Sequence, residues 1–242
     1  MQGMIGLMKK IQLFCLPHAG GSAMVFHRWK SSLSPYIDVI PIELKGRGAR
    51  VGESFYKSFE EAVEDIYSAV SSSITGPYAI FGHSMGSWMA LELYYRLAES
   101  MESLPVHLML SGNRAPHILK EENIHALPDE EFRETIQRMG GTSDEVFTNK
   151  ELFSLFAPVL RADFRIVELF RFQPKSFKVE SDITVLTGKS DNRVKSSDLI
   201  GWKRYAGSQC EIVKLEGGHF YIQENVQETT RIINEKLQPY LI

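Results

Sequence analysis

The chain has 242 residues, of which 43% are hydrophobic and 24% are charged, and its formal net charge is −3 at neutral pH. This composition is typical of a soluble globular protein, and the negative charge argues against nucleic acid or an anionic membrane surface as a partner. No stretch approaches the roughly 20 apolar residues that a membrane-spanning helix needs, so no membrane partner is expected.

The N-terminus and the cysteines bear on the cellular compartment. The first residues make a poor signal peptide, because their apolar run is short and their charges, Lys9 and Lys10, follow it. Cys15 and Cys210 are the two cysteines, and both lie in apolar, strand-like contexts that favour buried thiols over a disulfide. Both features predict a cytoplasmic protein.

Short apolar strands alternate with amphipathic helices in the first half of the chain. A helix is predicted to begin at Ser58, where Ser58 and Glu61 form the pattern of a capping box and apolar residues follow at helical spacing. A second helix is predicted over 85–98. The predicted strands of this half are 11–16, 37–44, 78–81 and 106–110.

From about 117 to 177 the pattern predicts helices and no strand. One helix is predicted to begin near Asp129 and to end at Gly140-Gly141, and another to begin near Asn149. The second carries more apolar residues than one narrow stripe needs, so either some of them face a ligand or a partner protein, or all pack on the sheet. These residues are Leu152, Phe153, Leu155, Phe156 and Val159.

Alternation resumes after this helical stretch. Strands are predicted over 183–186 and 211–215, and helices over 197–205 and 226–237. Alternating strands and helices are typical of a mostly parallel, doubly wound sheet, and ligands bind at its carboxyl edge. The sequence therefore predicts a single α/β domain, residues 1–242, with a helical lid inserted over that edge at about 117–177.

Gly82-His83-Ser84-Met85-Gly86 matches the Gly-x-Ser-x-Gly pattern of a nucleophile elbow. The motif follows a predicted strand and opens a predicted helix, as the sharp turn of such an elbow requires. The helix N-terminus also favours the negative charge that develops during nucleophilic attack. Ser84 is therefore the candidate nucleophile, and the predicted fold is that of the α/β-hydrolases. The alternative is a glycine-rich turn with no chemical role.

A serine hydroxyl needs an adjacent base, and His219 is the candidate among seven histidines. In this fold the nucleophile, the acid and the histidine follow one another in that order, the last two on loops after late strands. His219 follows the strand predicted to end at Leu215, and a pKa of roughly 6 to 7.5 is expected for it. No histidine pair has the spacing of metal ligands, so neither a metal nor another cofactor is predicted.

Asp191 is the candidate acid that orients the histidine, because it lies on the loop after the predicted strand 183–186. Asp182 precedes that strand and should lie at the opposite edge of the sheet. Some hydrolases take this acid from the loop after an earlier strand, but the loop at 111–114 contains no carboxylate.

Two backbone N–H groups are candidates for an oxyanion hole. One belongs to Met85, the residue after the candidate nucleophile. The other belongs to Ala19, in a loop where Gly20-Gly21 allows a substrate to approach the backbone closely. A phosphate-binding role for this loop is the rival interpretation, but the loop lacks the glycine and lysine spacing of nucleotide-binding motifs.

Six motifs together resemble type II thioesterases, the stand-alone editing enzymes of nonribosomal peptide and polyketide synthesis. The chain departs from the family pattern at Lys45, Ala115 and Ser87-Trp88, none of which belongs to the predicted triad. The motifs, in the order and spacing of the family, are Leu16-Pro17-His18-Ala19-Gly20-Gly21, Gly46-Arg47-Gly48-x-Arg50, Gly82-His83-Ser84-Met85-Gly86, Leu127-Pro128-Asp129, Gly201-Trp202 and Gly217-Gly218-His219-Phe220.

The resemblance implies a substrate and a partner. The substrate would be an acyl group held as a thioester on the phosphopantetheine arm of an acyl- or peptidyl-carrier protein, a transient partner that is freed of misloaded groups. A monomer is the default expectation. Two alternatives stay open: an esterase or acyltransferase that uses the same triad on a free small-molecule ester or acyl-coenzyme A, and a carrier-binding protein that has the fold without catalysis.

Overall fold

In the computed structural model, which describes residues 10–100 and 103–241, six strands form one parallel sheet. The order across the sheet is β2-β1-β3-β4-β5-β6, and every neighbouring pair is parallel. All six carboxyl ends therefore lie at one edge. The strands are β1 (Ile11–Leu16), β2 (Ile37–Pro41), β3 (Tyr78–His83), β4 (His107–Ser111), β5 (Asp182–Gly188) and β6 (Cys210–Leu215).

Helices cover both faces of the sheet, and this explains why the central strands are apolar throughout. On β3, Tyr78 and Ile80 pack in a core with α1 (Phe59–Ser71) and α2 (Met85–Ala98). The alternate residues Ala79 and Phe81 pack in a second core. That core lies against a 3₁₀ helix, Ala23–Ser31, and against α8, Val226–Leu237. The predicted α/β-hydrolase architecture is confirmed.

Two predicted elements differ in detail. The strand predicted over 37–44 ends at Pro41, and one further bond to β1 follows it, from the Ile42 N–H to the Cys15 carbonyl at 2.9 Å. The helix predicted over 197–205 is α6 (Ser196–Ile200) continued by a 3₁₀ helix, Gly201–Arg204. A short helix, α7 (Tyr221–Glu224), directly follows the predicted histidine loop.

The start of α1 has the cap that its sequence predicts. The Ser58 Oγ accepts from the Glu61 N–H at 3.1 Å. The Glu61 carboxylate accepts from the Lys57 N–H at 2.8 Å, one residue before the position of a standard capping box.

The segment between β4 and β5 forms α3 (Asp129–Met139), α4 (Asp144–Thr148) and α5 (Lys150–Leu169), with no strand over 117–177. Gly140 ends α3 with a φ of 74°, and the Asn149 side chain caps α5. The sequence did not predict α4. The three helices share a small apolar core of Phe132, Ile136, Phe147, Leu160 and Phe164.

The remaining sequence features concern the N-terminus, the cysteines and the membrane. Residues 1–9, the segment judged a poor signal peptide from its sequence, lie outside the described residues. Cys15 is buried and Cys210 half-buried, both are free thiols, and burial raises the pKa of each. Within the described residues, every helix is too short or too polar to cross a membrane.

Candidate active site

Ser84 lies in a strained turn between β3 and α2. Its φ of 54° and ψ of −114° make it the one non-glycine residue with positive φ among residues 10–100 and 103–241. A Cβ on Gly82 would lie 2.0 Å from the Gly86 carbonyl oxygen, and a Cβ on Gly86 would lie 2.3 Å from the Leu16 carbonyl oxygen. Both flanking positions therefore require glycine, and the turn holds the serine hydroxyl at the N-terminus of α2.

Ser84, His219 and Asp191 form one chain of hydrogen bonds. The His219 Nε2 lies 3.1 Å from the Ser84 Oγ, and the His219 Nδ1 lies 2.8 Å from the Asp191 Oδ2. The aspartate and the histidine are buried, with 8% and 7% of their surface exposed. The structure thus brings the three predicted triad residues together, with separations that allow proton transfer from serine to histidine.

The loops after β5 and β6 hold the acid and the histidine against each other. The Ser190 N–H donates to the Gly217 carbonyl at 3.0 Å, and a Cβ on Gly188 would lie 2.2 Å from the Gly218 carbonyl oxygen. The second carboxylate oxygen of Asp191 accepts from the Arg193 N–H at 2.9 Å. Asp182, which its position before the strand excluded as the acid, begins β5 at the opposite edge and accepts from Ser208.

Burial disfavours the charged form of the imidazoles around the serine. Burial lowers the pKa of His219 below its usual value; the Asp191 hydrogen bond acts in the opposite direction, and the Arg193 charge lowers it further. Burial also lowers the pKa of His18 to about 4 and that of His83 well below its usual range. His83 packs under the elbow, with its Nδ1 2.7 Å from the Ser111 Oγ. A neutral imidazole beside Ser84 is the form that can accept a proton.

The two predicted oxyanion donors both border the cavity beside Ser84. Met85 is the first residue of α2, where the backbone N–H has no intrahelical acceptor. Ala19 lies on the loop after β1. Its neighbour Gly20 donates its own N–H to the Asp163 Oδ2 at 2.7 Å, so the Gly20 N–H is already engaged.

Three residues that support this site were missed in the sequence. The Asn113 amide donates to the Ser84 carbonyl at 2.9 Å, and the Asn113 carbonyl accepts from the Trp202 indole at 2.9 Å. A carboxylate is the residue type expected to act from the loop at 111–114, so an asparagine there gives no sequence signal. Arg47 and Asp163 form a buried ion pair beside the Ala19 loop. Arg47 belongs to a family motif, but an aspartate within a lid helix gives no sequence signal.

The cavity beside Ser84 is bordered by α2, α3, α5 and the loops at the carboxyl edge. Trp88 packs in the core, with 5% of its surface exposed, and it also borders the cavity. Its indole N–H donates to the Arg114 carbonyl at 2.7 Å. Trp88 is therefore both a core residue and part of the cavity wall. Its neighbours there include Ile136, Met139, Leu160, Phe164, Val167 and Phe220, together with Arg114, Glu122, Glu168 and Arg193.

Among the described residues, no cluster of three His, Cys, Asp or Glu side chains is arranged to hold a metal ion.

Comparisons with known proteins identify the family. A family model described as "Thioesterase domain" matches residues 11–237. The chain is 32% identical to the gramicidin S biosynthesis protein GrsT of Aneurinibacillus migulanus over 230 residues, 95% of this chain and 90% of that protein.

Two solved structures are similar over nearly the whole chain. ClbQ from the colibactin pathway of nonribosomal peptide and polyketide synthesis has a TM-score of 0.91 and 34% identity, and the match covers 96% of this chain and 98% of that one. The type II thioesterase BorB from the borrelidin biosynthetic cluster has a TM-score of 0.86 and 32% identity. The match covers 94% of this chain and 93% of the BorB chain. The chain therefore belongs to the thioesterase family and is, as its motifs predicted, a type II thioesterase, an enzyme that hydrolyses thioesters.

Proposed function

We propose that this thioesterase cleaves acyl groups from the phosphopantetheine arm of carrier proteins through an acyl-Ser84 intermediate. The observation that carries the proposal is the hydrogen-bonded chain from Ser84 through His219 to Asp191, which opens on the cavity. The relatives in gramicidin, colibactin and borrelidin biosynthesis support a role in removing misloaded groups from a peptide or polyketide synthase.

In the first half-reaction Ser84 attacks the thioester carbonyl. The His219 Nε2 takes the hydroxyl proton while the Oγ–carbon bond forms, and Asp191 stabilises the resulting imidazolium. The backbone N–H groups of Ala19 and Met85 stabilise the negative oxygen of the tetrahedral intermediate. The intermediate collapses with cleavage of the carbon–sulfur bond, and the His219 imidazolium gives its proton to the departing sulfur, which leaves as the free thiol and restores neutral His219. Because a thiol has a pKa near 8.5, the thiolate leaves readily and depends less on protonation than an amine does.

In the second half-reaction water releases the acid. His219, neutral again, takes a proton from a water molecule that attacks the acyl-Ser84 carbonyl. The ester bond then breaks, and the imidazolium returns the proton to the Ser84 Oγ. The net reaction is a thioester plus water giving a carboxylic acid and a thiol, with the enzyme unchanged.

The pH dependence of kcat/KM tests the histidine. Activity needs neutral His219, so kcat/KM should rise with pH and reach half its maximum below about pH 6.5, the ordinary histidine value. From the sequence alone, the apparent pKa of His219 in this profile was predicted at roughly 6 to 7.5. Burial lowers the expected pKa. Arg193→Met should move the midpoint to higher pH, because the charge that disfavours the imidazolium is removed. A midpoint above pH 7, or a shift to lower pH in this variant, would argue against His219 as the base.

Helix α5, which borders the cavity through Leu160 and Phe164, also presents apolar side chains to solvent. Leu155 is 71% exposed and Phe156 is 41% exposed, so the alternative that all the apolar residues of this helix pack on the sheet is wrong. We infer that these two residues contact the carrier protein. Leu155→Ser and Phe156→Ser should each lower kcat/KM for an acyl-carrier protein at least about fivefold, the effect of losing roughly 1 kcal/mol at an interface.

The matched substrate for this test is the same acyl group on coenzyme A, which offers no carrier surface. Its kcat/KM should change less than about twofold in both variants and should be lower than that for the carrier substrate, because carrier contacts add transition-state binding energy. Tyr36→Ser is the control, since Tyr36 is also 41% exposed but precedes β2 at the opposite edge of the sheet. Equal losses on both substrates, or a faster reaction with the coenzyme A thioester, would favour an enzyme for free small molecules.

A further inference from the structure

A buried ion pair joins lid helix α5 to the core beneath the active-site loops. Arg47 is 6% exposed and Asp163 is 1% exposed. Their contact is bidentate, with 2.5 Å from Nη1 to Oδ2 and 2.7 Å from Nη2 to Oδ1. Because burying two charges costs free energy that their attraction often fails to recover, such a pair is weak grounds for a purely stabilising role.

The pair holds the Ala19 loop from two sides. Asp163 accepts from the Gly20 N–H at 2.7 Å, and Arg47 donates to the Gly21 carbonyl at 3.2 Å. The loop also lies directly against α5. Gly20 has a φ of +77°, and a Cβ there would lie 2.4 Å from a methyl carbon of Leu160, about one turn before Asp163.

The peptide between Ala19 and Gly20 is thus fixed at both ends. The His18 Nδ1 lies 2.9 Å from the Ala19 carbonyl oxygen, and the Gly20 N–H is held by Asp163. The His18 Nε2 lies 3.2 Å from the Gln223 side-chain nitrogen, whose N–H can donate to it. In that tautomer the His18 Nδ1 carries the hydrogen and donates it in the bond to the Ala19 carbonyl. A fixed peptide plane on one side of Ala19 restricts the direction of the Ala19 N–H.

We propose that Asp163, held in place by Arg47, is a positioning residue that aims the Ala19 N–H into the oxyanion hole. The inference rests on the serine mechanism proposed above. Because Asp163 belongs to α5, the hole is fully ordered only while this helix is seated on the loop. Displacing α5 would remove the Asp163 acceptor from the Gly20 N–H and the Leu160 side chain that packs against the loop.

Two double variants isolate the hydrogen bond to Gly20. Arg47→Met/Asp163→Leu removes both charges together, a change that proteins often tolerate, and leaves no acceptor for the Gly20 N–H. Arg47→Met/Asp163→Asn removes the same charges but keeps a carbonyl oxygen there, on a side chain of nearly the same shape. We expect kcat of the Leu variant to be about 10- to 100-fold below that of the Asn variant, since removing an oxyanion donor outright costs about 10²- to 10³-fold.

Three further readouts separate positioning from a structural role. KM for the thioester should differ less than about threefold between the two double variants. The reason is that the oxyanion hole stabilises the negative oxygen of the transition state far more than the neutral carbonyl of the bound substrate. Affinity for a boronic acid, which forms a tetrahedral adduct on Ser84, should fall in parallel with kcat. The pH midpoint assigned to His219 should stay the same. Equal kcat values in the two folded variants, or a loss confined to KM, would overturn the inference.

Controls cover folding and the underlying mechanism. Arg50 and Asp65 form a similar bidentate pair, at 2.7 and 3.0 Å, that makes no hydrogen bond to the 17–22 loop, so Arg50→Met/Asp65→Leu should leave kcat within about threefold of wild type. Asp163→Asn alone should lower Tm, since Arg47 loses its partner charge, yet keep kcat within about tenfold. A fall in kcat that simply follows Tm in all variants would contradict positioning. Full activity in Ser84→Ala would instead overturn the proposed mechanism itself.

Discussion

Ser84→Ala is expected to abolish thioester hydrolysis while the protein remains folded. The variant loses the atom that forms the acyl-enzyme, and in a serine protease the equivalent loss lowers kcat by about 10⁶-fold. The substitution removes only a hydroxyl and keeps the Cβ that the turn already accommodates. Steady-state hydrolysis of an acyl-carrier thioester, with Tm as the measure of folding, checks this expectation.

Ser87→Ala is the neighbouring control. The Ser87 hydroxyl lies one turn along the same helix and donates to the Ser84 carbonyl at 2.6 Å, but it does not point at the thioester in the proposed mechanism. We expect its activity to stay within about tenfold of wild type, the range of one lost hydrogen bond. Activity of Ser84→Ala in that same range would refute the assignment of the nucleophile.

Asp191→Asn should lower kcat by a factor on the order of 10⁴, the loss that this change causes in a serine protease triad. An asparagine amide can donate to the His219 Nδ1 in place of accepting from it. The proton would then reside on the Nε2, and the ring could no longer accept from Ser84. The carboxylate would also cease to stabilise the imidazolium. Single-turnover acylation by an activated thioester measures this step directly.

Asp182→Asn is the matched control for the acid. Asp182 lies at the start of β5, the opposite edge of the sheet from Asp191, and its carboxylate bonds Ser208 and Tyr240. Loss of these surface-side contacts should change Tm slightly and kcat by less than about twofold. If Asp191→Asn were nearly silent while another carboxylate proved essential, Asp191 would not be the acid of the triad.

The fold and the placement of the triad could be read from the sequence because their causes are local. The strand, the Gly-x-Ser-x-Gly turn and the helix of the elbow are consecutive, and close backbone contacts at Gly82 and Gly86 leave room for no other residue. The candidate acid and histidine follow late strands, and parallel strands bring such loops to one edge. Helices α3 and α8 begin and end where their patterns predict. A proline precedes α3 and two glycines follow it, and an amphipathic stripe defines the extent of α8.

The missed features depend on contacts between distant parts of the chain. Arg47 and Asp163 are far apart in sequence, and a single aspartate on an amphipathic helix looks like a solvated residue until the fold buries it. Asn113 supports the elbow through its side-chain amide, and no sequence pattern marks an asparagine at this loop position as a contact of the Ser84 carbonyl. The pKa of His219 depends on burial and on the nearby Arg193 charge, neither of which a sequence pattern records.

Mapping the site of fluorophosphonate modification tests the central claim, the serine mechanism at Ser84, most directly. The probe reacts with a serine that is activated by a neighbouring base, and digestion followed by mass spectrometry locates the phosphonyl group. We expect one phosphonyl group per chain, on Ser84, and a proportional loss of acyl-carrier thioester hydrolysis. Complete modification of Ser84 with turnover retained, or inhibition with the label on a different residue, would contradict the mechanism.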